Sequence, residues 1–270
     1  MTAAPAALAL IAGLAGAQAQ PPPPLPASPL DVWLVRPVRV EPSKRLAALR
    51  ALDEMPDAVR LAPGRTEVTG LAARGWTRYE RGDLEGARHD LRAAAGDGAV
   101  PVWAHYALGL VEFALGRAAE AAAAFERVRA AEALFQPVYF DLVDAYLLLD
   151  RPDVAVAVLL DAGRRWPHDV EVWNALGVVE TRRAALDRAI RAFETAAELD
   201  PADALAQFNL GRAYELRSHQ SARWDSMGRR QWHAELDRRL AQEHYMRYLA
   251  IGGPYEQEAR AALARLDWMR

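Results

Sequence analysis

The 270-residue chain has no cysteine and a single lysine, Lys44, against 32 arginines. Without cysteine there is no disulfide, no thiolate zinc site, no thiol nucleophile and no lipid attached through Cys. Neither sign of charge dominates: 33 basic residues against 36 acidic ones give a formal charge of −3. A field able to collect nucleic acid is therefore absent, as is an acidic, solvating tail. The arginines are spread along the chain, which reads as a compositional bias and not as an anion site. Beyond the first nineteen residues no run is apolar enough to span a bilayer. What the chain has in abundance is alanine, 57 residues, which favours helix over sheet.

Met1 to Ala19 carries no charged side chain, and an apolar run from Ala6 to Ala17 leads into the small-x-small sequence Ala17-Gln18-Ala19. Residues 1–19 read as a secretory signal peptide, although the basic n-region is missing. The competing reading is an uncleaved membrane anchor, but the run is short for one and Pro5 interrupts it. Nine of the 17 prolines lie in the first 42 residues. Residues 20–42 are accordingly expected to be an extended linker, because proline fixes φ and cannot donate to a helix. Ser43 to Met55 reads as a helix with Leu46, Leu49 and Leu52 on one face, within an N-terminal capping region at 43–67.

An internal repeat organises the remainder. Gly75, Gly109, Gly177 and Gly211 fall on one 34-residue register, with Val143 at the missing step. Ala87, Ala121, Ala155 and Ala189 share a second register, and Leu91, Phe125, Leu159 and Phe193 a third. Each period reads as two amphipathic helices, with turn chemistry between them at Gly82-Asp83 and at Asp150-Arg151-Pro152. Glycine inside a helix costs about 1 kcal/mol relative to alanine, so glycines in register imply close approach of helix backbones.

The pattern closely resembles the tetratricopeptide repeat family, in an exported bacterial form. Trp173, Leu176, Gly177, Ala189, Phe193, Ala196 and Pro201 reproduce nearly the whole family signature in one repeat. Leu108, Gly109, Ala121 and Phe125 carry it in another, as do Tyr146, Ala155, Ala162 and Pro167. The resemblance implies an all-α, right-handed superhelical solenoid at 68–270, made of about five helix-turn-helix repeats. They lie near 68–101, 102–135, 136–169, 170–203 and 204–254, with a capping helix at 255–268. The fifth is interrupted by an insert at 217–238, which places Ala241 18 residues late and starts the second helix at Leu240.

The resemblance further implies that first helices line a concave surface. That surface would present Trp76, Tyr79, Trp103, Tyr106, Leu110, Phe113, Phe140 and Leu147, then Phe208 and Arg212. An aromatic groove of this kind suits an apolar peptide or a partner helix. The rival reading is that the N-terminal segment of the same chain covers it. The insert holds Arg223, Trp224, Arg229, Arg230 and Trp232, a set that suits phosphate, glycan or anionic headgroups at a membrane surface. Its plainer reading is a pair of lengthened helices.

No catalytic constellation emerges. The histidines (His89, His105, His168, His219, His233 and His244) lack the two-His helical spacing of a metalloprotease, and there is neither a glycine-rich phosphate loop nor a Gly-x-Ser-x-Gly elbow. The expectation is a non-enzymatic scaffold, without cofactor, metal or nucleic acid, that binds a protein or peptide partner in an exported compartment. The alternative is a docking subunit of an envelope enzyme or assembly complex.

Overall fold

The computed structural model describes residues 42–53, 65–96, 101–223 and 231–268. Among them are twelve helices and no strand: α1 (Pro42–Asp53), α2 (Arg65–Glu80), α3 (Leu84–Ala95), α4 (Val102–Ala114), α5 (Ala118–Ala131), α6 (Pro137–Leu148), α7 (Pro152–Arg165), α8 (Val170–Arg182), α9 (Leu186–Leu199), α10 (Ala204–Arg223), α11 (Gln231–Ile251) and α12 (Glu256–Trp268). The fold is all-α and built from helix-turn-helix repeats. Residues 1–19, the proline tract and the Trp33 segment lie outside the described residues.

The chain divides into two compact units within α7, between Val158 and Leu159. In the first, α2 packs on α3, α3 on α4, α4 on α5 and α5 on α6, and α1 lies against α4. In the second, α8 packs on α9, α9 on α10, α10 on α11 and α11 on α12.

The glycine register marks where paired helices touch. A side chain at Gly109 would overlap the Phe125 ring, and one at Gly177 the Phe193 ring. At Gly75 it would stand 2.7 Å from Leu91 Cγ, and at Gly211 2.9 Å from Tyr245 Cδ1. Each glycine therefore makes room for a large side chain on the second helix of its own repeat. Arg74, standing where the family pattern has leucine, grips Asp90 on α3 through two hydrogen bonds of 2.6 and 2.7 Å. That hydrogen-bonded guanidinium holds the buried Asp90 carboxyl below the usual carboxylate range.

The turns repeat as well. Gly82, Gly116, Asp150 and Ala184 all have positive φ, at 82°, 74°, 54° and 57°. Behind each, the next amide reaches back to close the helix: Asp83 to Arg78, Arg117 to Glu112, Arg151 to Tyr146 and Ala185 to Glu180, at 2.8–3.0 Å. Asp83 then caps α3 by accepting from Gly86 N at 3.0 Å, and Asp169 caps α8 by accepting from Val172 N at 3.2 Å.

In the fifth repeat α11 begins at Gln231, well ahead of the expected Leu240. Helices α10 and α11 have 20 and 21 residues against 13 and 14 in α8 and α9. Both helices of the pair are thus about two turns longer. Arg217 braces the lengthened pair, donating to Asp237 on α11 at 2.7 and 2.9 Å and to Asp187 on α9 at 2.7 Å.

Candidate functional site

The face formed by the first helices of the first unit is occupied by the chain itself. On α1, residues 45, 46, 49 and 50 share one side of the helix. Leu46 and Leu49 are fully buried there, at 1% and 0% exposure. Each such burial is worth about 1.5–3 kcal/mol.

Two arginines flank the leucines. Arg45 donates from Nη1 to Asp141 Oδ1 on α6 at 2.6 Å. The other carboxylate oxygen of Asp141 accepts from the Tyr106 hydroxyl on α4, also at 2.6 Å. Arg50 lies over the Trp103 indole on α4, with its guanidinium carbon 4.1 Å from the ring centroid.

The electrostatics agree with this seating. Burial works to lower the Arg45 pKa, but the charge and hydrogen bond of Asp141 together with the Tyr106 and Tyr79 hydroxyls outweigh it and the pKa rises. Burial pushes the Tyr79 hydroxyl on α2 up to about 12, with Arg45 pulling the other way. Three successive first helices, α2, α4 and α6, thus surround the α1 guanidinium. The attraction within a buried ion pair is offset by the cost of removing both charges from water, and here the pair ties α1 to α6.

The residues expected to line a groove are mostly closed off. Trp76, Tyr79, Trp103, Tyr106, Leu110 and Phe140 are buried, whereas Phe113 and Leu147 are half-buried. Trp76 stacks on Tyr79 with ring centroids 4.8 Å apart and donates its indole N–H to Glu80 at 2.8 Å. Tyr106 meets Phe135 edge-on at 5.1 Å.

In the second unit Phe208 belongs to the core, where its ring packs on Tyr245, Tyr248 and Tyr255 at 5.8, 5.2 and 5.3 Å. Arg212 is buried and donates to Glu215 at 2.9 Å. Glu215 also accepts from the Tyr245 hydroxyl at 2.8 Å and from Arg265 at 3.0 Å. Burial opposes ionisation of Glu215, but the arginines and that hydroxyl prevail and its pKa is lowered.

Of the second candidate surface, Trp224, Arg229 and Arg230 lie outside the described residues, and the side chains of Arg223 and Trp232 are not among those described. No group of His, Asp and Glu able to hold a metal occurs among the described residues.

Sequence reasoning placed Leu46, Leu49 and Leu52 on one face of a helix capping the stack, did not seat that helix on the first-helix face, and missed Arg45, Arg50 and Asp141 as its polar half. The one available signal was Asp141 itself, a carboxylate inside the apolar stretch Val138 to Val143.

Comparison with known proteins agrees with this architecture. Among curated proteins none matches the chain. Of solved structures, that of the MamA protein is 19% identical, with a TM-score of 0.55, over 72% of this chain and 94% of that one. YrrB, described as a TPR protein with an unusual peptide-binding site, is 20% identical, with a TM-score of 0.54, over 80% of this chain and 98% of that one. At this identity the likeness speaks for the fold. The sequence profile of the tetratricopeptide repeat matches residues 72–134, 140–190 and 182–227, together more than half of the chain. The chain belongs to the tetratricopeptide repeat family.

Proposed function

We propose that this protein is an adaptor that receives a segment of a partner protein on the first-helix face of its N-terminal unit. Proteins of this family are in general interaction scaffolds and not catalysts, and this chain is a protein–protein interaction scaffold. One observation carries the finer reading: α4 and α6 together hold α1, a helix far from both in sequence, through Trp103, Tyr106 and Asp141. A peptide-binding site in YrrB supports the same use of the fold. A second reading, a docking subunit whose face is covered by its own N-terminal segment, is favoured by the burial of Leu46 and Leu49.

The test is the double variant Trp103→Ala/Phe113→Ala, used as bait in an extract of the native organism. Capture of the partner should fall at least tenfold while helicity by circular dichroism is kept. Undiminished capture by a folded double variant would sink the reading.

Export to the envelope is part of the proposal and rests on residues 1–19 alone. No described helix is long and apolar enough to cross a membrane. Sequencing the mature protein should give Gln20 as its first residue. An intact Met1 on protein that pellets with membranes would favour the anchor instead.

A further inference from the structure

The seat of α1 specifies its ligand more closely than an aromatic surface would. An Arg-Leu pair at 45–46 and a Leu-Arg pair at 49–50 are read by three different chemistries in one place. Asp141, with Tyr106 on its second oxygen, takes the first guanidinium end-on at 2.6 Å. Trp103 takes the second face-on at 4.1 Å. The two leucines between them lose essentially all contact with water. Ser43, Lys44, Ala47 and Ala48 point outward and are exposed, so the rest of the helix is free to vary.

The contact also lies outside the helix pairs of the repeats. Within the first unit α1 packs mainly on α4 and reaches α6 through Arg45, whereas the paired helices grip each other through their registers. Its ion pair spans 96 residues of sequence, and residues 54–64, which connect α1 to α2, include Pro56, Pro63 and Gly64.

We infer that α1 is a built-in surrogate ligand: the seat recognises a helix of the pattern Arg-Leu-x-x-Leu-Arg, and a partner segment of that chemistry binds by displacing α1. The inference rests on the reading of this face as the partner site and adds what the partner looks like and what holds it off. A basic helix with paired leucines fits because Asp141 is a buried carboxylate that must keep a cation. An acidic or purely apolar helix would leave that charge unpaired, so exchange is restricted to ligands that bring their own guanidinium.

The test uses the full chain and a fluorescein-labelled peptide of residues 42–53, read by fluorescence anisotropy. Leu49→Asp in the chain should release α1 and empty the seat. The peptide should then bind the variant at least tenfold more tightly than it binds the wild-type chain. A peptide carrying Arg45→Ala should lose at least tenfold on the same variant, as should the wild-type peptide on the double variant Leu49→Asp/Asp141→Asn. Arg45→Gln in the chain, which leaves both leucines in place, should move affinity the same way by a smaller factor and guards against misfolding of Leu49→Asp.

Equal binding to wild-type and released chains would overturn the inference, as would no binding to either released variant while circular dichroism shows them folded. A wild-type chain that runs as a dimer and becomes monomeric on Leu49→Asp would make a second copy the occupant and overturn it too. Failure of the partner-site reading is seen separately, in the capture experiment with Trp103→Ala/Phe113→Ala, which involves no peptide.

Discussion

Four residues carry the same strained task in successive turns, and only two of them suit it. Gly82 and Gly116 adopt positive φ without cost, whereas Asp150 and Ala184 hold it at 54° and 57° against the clash of their Cβ atoms. Asp partly compensates, because a short polar side chain tolerates this region, but alanine has no such recourse. Ala184→Gly should therefore stabilise the protein by about 0.5–1 kcal/mol, the strain relieved less the extra freedom given to the unfolded chain. Asp150→Gly should gain less. Gly116→Ala, at a site where a new Cβ meets nothing within 4 Å, should lose about 1 kcal/mol through backbone strain alone. Thermal unfolding followed by circular dichroism checks all three. A lower midpoint for Ala184→Gly would show that the turn is not strained. This register was hidden in the sequence because the backbone demands a conformation, and four positions met that demand with three residue types.

Between one repeat and the next, helices are tied by polar pairs 20 residues apart at one register position, Arg with Glu in one pair and Tyr with Glu in two. Arg92 donates to Glu112 at 2.9 Å, Tyr146 to Glu126 at 2.9 Å and Tyr214 to Glu194 at 2.6 Å. Burial and the neighbouring Glu194 push the Tyr214 hydroxyl pKa up, so it stays a donor under all ordinary conditions. Tyr214→Phe keeps the ring stacked on His244 and removes one hydrogen bond to a charged group. It should cost about 1.5–3 kcal/mol, read as a drop in the urea midpoint. An unchanged midpoint would mean that water replaces the hydroxyl at no loss. The glycine and aromatic registers were legible because packing admits few residue types there, whereas a polar tie can be built several ways and its letters recur in only two of these three pairs. The early start of α11 was illegible for a related reason. Its inward positions at that end include Ala234 and Asp237, and Asp237 is acceptable in the interior only because Arg217 reaches it from α10.

Over the whole molecule, buried titratable groups bound the pH range in which the fold is fully stable. His105, His219 and His244 all have lowered pKa values, burial being the first cause of each. The folded chain then binds fewer protons than the unfolded one below about pH 6.5, the ordinary histidine value, so stability is complete above that point and declines as pH falls through it. Asp90 and Glu215, both lowered, add a second loss once pH passes below the ordinary carboxylate range near about 4. At the other end Tyr79 is raised to about 12 and Tyr146, Tyr214, Tyr245, Tyr248 and Tyr255 are also raised, mainly by burial. A raised tyrosine contributes stability that is intact below its unfolded value of about 10 and is lost as pH climbs toward the folded one. The melting temperature should therefore be flat between about pH 7 and 10, fall gently below that window and collapse above it. Tyrosinate absorbance should rise together with the loss of helicity, since these hydroxyls ionise only when exposed. His244 is the variant to single out: its Nδ1 lies 2.8 Å from Gln207 Oε1 and its ring stacks on Tyr214. His244→Asn keeps a donor near Gln207 and cannot be protonated, so it should flatten the slope between pH 7 and about 5 relative to wild type. An acid slope undiminished in that variant would assign the decline to His105 and His219.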